Sequence, residues 1–225
     1  MTQITHILPR SAWQDIVIYE KNEPLVDLAH IPGLILQPFD LAPSTTTSFM
    51  VRKTIAEMLA HVQATLPNGL SLIIIEGYRS MEKQQKAWDA KWLEVAKSHP
   101  DWSDEQIDKS VRLVVARATG IPNHVCGGAV DVMLADKQGT LLDFGSTYAK
   151  GDDINREQHP MFPNTFFKRK ITRKQSANRK MLREAMVTAG FVWYPGEWWH
   201  YCYGDRMWAV YTNRKECMYG PVELS

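Results

Sequence analysis

The sequence predicts an α+β fold in which an antiparallel sheet is flanked by helices. Short apolar runs rich in β-branched or aromatic residues stand at Leu70–Glu76, Ala129–Leu134 and Phe191–Trp193. Longer segments carry helical periodicity or helix caps. The two kinds of element do not alternate regularly, as a parallel sheet with crossover helices would require.

The opening 45 residues hold Pro24, Pro32-Gly33, Pro38 and Pro43. They read as a turn-rich wrap around the core of one domain spanning residues 1–225. Ser48 is the candidate cap of a helix over Phe49–Leu66, with Ile55, Met58, Leu59 and Val62 on one face. Pro67-Asn68-Gly69 ends it, and Leu70–Glu76 reads as a buried strand. Ser80 opens a helix to about Lys97. Ser103, with Gln106 three residues on, forms a capping box for a helix to about Ala118. Ala129–Leu134 is a strand containing Asp131, followed by a turn at Asp136–Gly139. Phe144–Arg173 is irregular and polar, suited to the wall or lid of a site. Ala177–Ala189 reads as a helix stopped by Gly190. Phe191–Trp193, Trp199–Tyr203 and Met207–Tyr211 read as short strands.

Composition excludes several functions. Basic residues number 26 and acidic residues 25, a net charge of +1, so no electrostatic case exists for nucleic acid or a membrane surface. No run is apolar and long enough to span a bilayer. The first ten residues lack the basic start and apolar core of a secretory signal, and three cysteines are too few for a disulfide framework. A cytoplasmic location is the expectation. The oligomeric state is left open.

Two stretches carry the chemistry. One is Asn123-His124-Val125-Cys126-Gly127-Gly128-Ala129-Val130-Asp131, and the other is Gly196-Glu197-Trp198-Trp199-His200. Catalytic zinc keeps three protein ligands and an open position for water. His124, Asp131 and His200 supply three suitable donors, and Glu197 is the candidate base. The Gly127-Gly128 pair lets the backbone turn Asp131 back toward His124. Residues three apart in a strand face opposite sides, so Glu197 and His200 share a site only if the chain turns between them. Pro195-Gly196 gives that turn a start. Upstream, Arg79 follows the apolar strand in Glu76-Gly77-Tyr78-Arg79-Ser80, where it can stabilise negative charge on a tetrahedral intermediate. Cys126 and Cys202, each two residues past a candidate ligand, read as buried thiols.

Taken in this order, Gly77-Tyr78-Arg79, His124 to Asp131 and Glu197-Trp198-Trp199-His200 resemble the GYR, SxHxxGxAxD and ExWH motifs of the M15 zinc peptidases. The resemblance is particularly to VanX-type D-alanyl-D-alanine dipeptidases. The resemblance implies a core of the hedgehog type and one zinc per chain on His124, Asp131 and His200. It also implies Glu197 as base, Arg79 as the transition-state arginine and a small peptide as substrate. Asn123, Tyr78, Tyr148, Asp152, Asp153 and Trp199 are the candidate substrate-binding residues. Pro122 and Asn123 stand where family dipeptidases commonly carry serines. Ala149 stands where they carry the aspartate that holds the substrate's free amine, leaving Asp152 or Asp153 as substitutes. The expected function is hydrolysis of D-alanyl-D-alanine or a related D-amino-acid dipeptide. The alternatives are a carboxypeptidase or endopeptidase acting on cell-wall peptides, a non-catalytic zinc-stabilised binding module and a metal-free interaction domain.

Overall fold

A computed structural model of the chain describes residues 8, 10–13, 15–38, 48–112, 115–117, 123–145 and 171–223. Tyr148, Ala149, Asp152 and Asp153 lie outside the described residues, as does most of the Phe144–Arg173 segment.

The architecture is α+β. In chain order the elements are β1 (Val17–Ile18), β2 (Leu25–Asp27), β3 (Ile35–Leu36), β4 (Met50–Arg52), α1 (Lys53–Thr65), β5 (Ser71–Glu76) and α2 (Met81–Ser98). Then follow α3 (Asp104–Val111), β6 (Ala129–Ala135), α4 (Arg173–Thr188), β7 (Val192–Trp193), β8 (His200–Cys202), α5 (Arg206–Tyr211) and β9 (Glu216–Cys217). The main sheet runs β3-β5-β6-β8-β7. The pairings among β5, β6, β8 and β7 are antiparallel. Strand β3, at the edge, joins β5 in parallel.

Ile55, Leu59 and Val62 of α1 recur at helical spacing and are buried with Leu182 and Met186 of α4. They share one core with Leu72, Ile74, Val132 and Leu134 of the central strands. Helices α2 and α3 close a smaller cluster of Trp88, Val95, Ile107 and Val111.

Most helix caps follow from local sequence. Ser80 Oγ accepts from Lys83 N at 3.1 Å, and Ser103 with Gln106 forms the expected capping box. Three boundaries differ from expectation. Ser48 does not cap α1. Its hydroxyl accepts from Met50 N, and Met50–Arg52 is drawn into a strand by pairing with β2, so the helix starts at Lys53. Helix α3 ends at Val111. Helix α4 starts at Arg173, ahead of Ala177, because Thr172 and Gln175 form a second capping box.

One element changes type. Met207–Tyr211 was expected as a strand and is helical. Asp205 Oδ1 accepts from Trp208 N at 2.7 Å and starts the turn. Burial of Met207, Trp208 and Ala209 holds it, which overrides a weak strand propensity.

The register fixes what matters for function. Asp131 lies opposite Glu76 on one side and opposite His200 on the other. Cross-strand partners present side chains to the same face, so three strands bring an acid, an acid and a histidine into one row.

Candidate metal centre

His124 belongs to a short 3-10 turn, Asn123–Cys126, leading into β6. Two glycines shape the bend between this turn and Asp131. Gly127 sits at φ +69, and a Cβ there would meet Leu25 Cδ2 at 2.4 Å. A Cβ on Gly128 would meet the Tyr203 carbonyl at 2.7 Å. A side chain is strained at Gly127 by its positive φ and is blocked at Gly128 by backbone.

The ring of His124 is oriented by its far nitrogen. Nδ1 lies 2.7 Å from the Gly77 carbonyl. A carbonyl only accepts, so Nδ1 carries a proton and Nε2 is the ring atom left facing Asp131. Nε2 lies 3.4 Å from Asp131 Oδ1, and His200 Nδ1 lies 2.9 Å from the same oxygen. All three residues are buried. Burial pushes the Asp131 carboxyl up, but the two histidines outweigh it and hold it below the usual carboxylate range. His200 shows the converse. Burial pulls its pKa down, and the Asp131 carboxylate, with help from Glu197 and Asp205, raises it above the ordinary value.

One ligand atom from each of His124, Asp131 and His200 falls within 4.8 Å of the others. Tetrahedral zinc with bonds of about 2.0–2.2 Å sets its donors about 3.4 Å apart. The separations at Asp131 Oδ1 are close to that, and two imidazoles with a carboxylate are donors that suit zinc. The residues present therefore fit such an ion.

The chain does turn between Glu197 and His200. Glu197 N donates to the Tyr194 carbonyl at 3.1 Å, and His200 N donates to the Glu197 carbonyl at 3.3 Å. Two successive tight turns replace a regular strand and bring the half-buried Glu197 to the side of His200. Its charge acts on that ring.

Arg79 is held above β5 by a network that sequence reading did not identify. Its guanidinium pairs with the Glu76 carboxylate through two nitrogens, and its Nη1 donates to Gln84 Oε1 at 2.9 Å. Lys83 Nζ lies 2.8 Å from Glu76 Oε1. The main chain joins in, as Arg79 N donates to the His124 carbonyl at 3.2 Å. The signal for Glu76 was present in the sequence: a carboxylate ending an apolar strand, three residues before an arginine.

Glu76 is buried, which favours the neutral acid, yet the charge and hydrogen bonds of Arg79, with His124 and Lys83, bring its pKa from 4.5 down to about 2. A depressed carboxylate stabilises the fold above its unfolded pKa and loses that contribution as pH falls through its folded one. The shift corresponds to about 3 kcal/mol. Urea melts of wild type and Glu76→Gln should therefore differ most near pH 7 and converge from about pH 5 toward pH 2. A pH-independent gap would remove this account.

Of the other candidate residues, Asn123 lies beside the centre, its Nδ2 3.4 Å from His200 Nε2. Tyr78 is buried, and its hydroxyl donates to the Val222 carbonyl at 2.8 Å, a bond that ties down the C-terminal tail. Trp199 is buried in the main core, edge-on to Trp198. Trp198 in turn stacks on Phe144 at 4.3 Å. Cys126 and Cys202 are free and buried, and burial pushes both thiols upward, which suits inert packing. Among the described residues no helix is long and apolar enough to cross a membrane.

Comparison with known proteins places these features in a family. Residues 42–219 match the Peptidase_M15 model, described as D-ala-D-ala dipeptidase. A D-alanyl-D-alanine dipeptidase of Synechocystis sp. is 24% identical over 247 residues, covering 96% of this chain and 98% of that one. Its counterpart from Escherichia coli is 29% identical over 134 residues, 60% of this chain and 55% of that one. Among solved structures, VanYB in complex with D-alanine-D-alanine aligns at TM-score 0.43 and 18% identity over 77% of this chain and 88% of that one. VanXYg in complex with a D-Ala-D-Ala phosphinate analogue aligns at TM-score 0.40 and 21% identity over 88% of this chain and 67% of that one. The family match takes in all three motifs and most of the 225 residues, and the chain belongs to the M15 family of metallopeptidases.

Proposed function

We propose that the chain holds one zinc ion on His124, Asp131 and His200 and hydrolyses D-alanyl-D-alanine or a related D-amino-acid dipeptide. The observation that carries this reading is the buried three-donor cluster, with Glu197 joined to His200 by a tight turn and its charge acting on that ring. Two relatives, one aligned over 96% of the chain and the other over 60%, are named D-alanyl-D-alanine dipeptidases.

Zinc, when bound, supplies a Lewis acid that polarises the scissile carbonyl and makes water a nucleophile near neutral pH. The chain's own residues do the rest. Glu197 takes a proton from the attacking water and returns it to the leaving amine. Arg79 offers a permanent positive charge to the developing oxyanion. Its pairing with Glu76 and Gln84 fixes the guanidinium before substrate arrives, so little reorganisation is needed at the reaction step. The proposed setting is the cytoplasm, where the free thiols of Cys126, Cys202 and Cys217 stay reduced.

A second reading, a D,D- or L,D-carboxypeptidase on cell-wall peptides, is favoured by Ala149, which cannot pair with a free amine. A panel of D,D, L,D and N-acylated peptides, assayed with and without chelator, separates the two. Cleavage of free D-alanyl-D-alanine with refusal of its N-acylated form supports the dipeptidase. Equal use of N-acylated substrate supports the second reading, and chelator-resistant hydrolysis would sink both. His200→Ala should also lose its zinc, read by metal analysis of the purified variant. Stoichiometric zinc in that variant would remove His200 from the ligand set.

A further inference from the structure

The two ring nitrogens of His200 meet different partners. Nδ1 faces Asp131 Oδ1 at 2.9 Å, inside the donor cluster. Nε2 meets the side-chain amide of Asn123 at 3.4 Å. A neutral imidazole carries one N–H. In the neutral ring without metal, Nδ1–H donates to Asp131 and Nε2 accepts from the Asn123 NH2 group. A metal ligand must instead offer the Nδ1 lone pair, so the ring proton then belongs on Nε2 and needs an acceptor there. His124 already has such a partner in the Gly77 carbonyl at 2.7 Å.

We propose that Asn123 is the positioning residue that sets the tautomer of His200. Its amide donates to Nε2 in the metal-free chain and, turned by half a rotation about its last bond, accepts from Nε2–H in the zinc-loaded one. An amide suits this because carbonyl and NH2 share one planar group of nearly symmetric shape, so the exchange needs no movement of the backbone. The proton count is unchanged: Nδ1 releases one to solvent and Nε2 gains one. Asn123 opens the 3-10 turn that carries His124, so a single turn supplies one candidate ligand and orients another. The turn is anchored at this residue, since Cys126 Sγ donates to the Asn123 carbonyl at 2.9 Å. The amide also lies 3.5 Å from Met207 Sδ. Partners of this kind typically change metal affinity by 10- to 100-fold.

The inference rests on the zinc assignment made above, and the test separates the two. Zinc affinity is measured by chelator competition at one pH for wild type, Asn123→Leu and Asn123→Asp, with circular dichroism to check the fold. Leucine fills the same space without polar atoms, and aspartate keeps the acceptor without the donor. Asn123→Leu should bind zinc roughly 10- to 100-fold more weakly, while Asn123→Asp binds as tightly as wild type or more so. Nitrogen-15 shifts of the His200 ring should report Nδ1–H without metal and Nε2–H with it. Wild-type affinity in the leucine variant, equal weakening in both variants, or no change of tautomer would overturn the proposal. Should the leucine variant not fold, the ring shifts of wild type decide. If wild type binds no stoichiometric zinc, or His124→Ala binds it unchanged, the ligand assignment fails and this role fails with it.

Discussion

Replacing Glu197 with alanine is expected to cut turnover by about 10²–10⁴-fold, the usual contribution of a positioned general base, while zinc stays bound. The expectation comes from geometry. Glu197 is not one of the three clustered donors, yet two consecutive turns set it beside His200. Removing the carboxylate takes away the proton acceptor without touching the ligands. The loss should appear in kcat, because the group acts on water during the reaction rather than on substrate in the ground state. Metal content is measured alongside. Near-normal kcat with full zinc would end the assignment, and loss of zinc would instead make Glu197 part of the metal's support.

Arg52→Met is expected to destabilise the fold by about 3–5 kcal/mol, because it strips several carbonyls of their donor at about 1–3 kcal/mol each where they are buried. Arg52 is 2% exposed. Its Nε donates to the Cys126 carbonyl at 2.8 Å and its Nη1 to the Glu23 carbonyl at 2.6 Å. Its Nη2 reaches the Gly220 carbonyl and Glu20 Oε2, each at 3.2 Å. The guanidinium also lies 5.2 Å from the centre of the Tyr219 ring. One side chain thus joins the N-terminal segment, the C-terminal tail and the turn that carries His124. Methionine keeps most of the stem but leaves three carbonyls without their donor. For a chain of this size the melting temperature should fall by on the order of 10 °C. A drop of only a degree or two would mean that water replaces the guanidinium and that the three segments are held by other contacts. Zinc affinity should fall as well, since the Cys126 carbonyl is the last of the His124 turn.

Much of this was legible in the chain itself. Ser80 and Ser103 announce α2 and α3 because a cap bonds to an amide three residues away, within reach of local reading. The apolar strand ending at Glu76 and the strand around Asp131 follow from composition. Other elements were hidden. The strand Met50–Arg52 looked like the first turn of a helix, because nothing nearby reveals the distant segment Leu25–Asp27 that pairs with it. The helix at Arg206–Tyr211 depends on burial of Met207 and Trp208, which no short window reports. Arg52 gave no warning of its role, since all its side-chain partners lie more than 25 residues away in the chain.

By itself, then, the sequence determined the donor types, their order and the α+β class, because residue chemistry and short-range caps are properties of neighbouring residues. The tertiary structure alone decided that Glu76, Asp131 and His200 share one row of the sheet, and that Arg79 is pinned by Glu76 and Gln84. Those outcomes depend on strand register and on contacts between residues far apart in the chain, which are set by the packing of the whole domain.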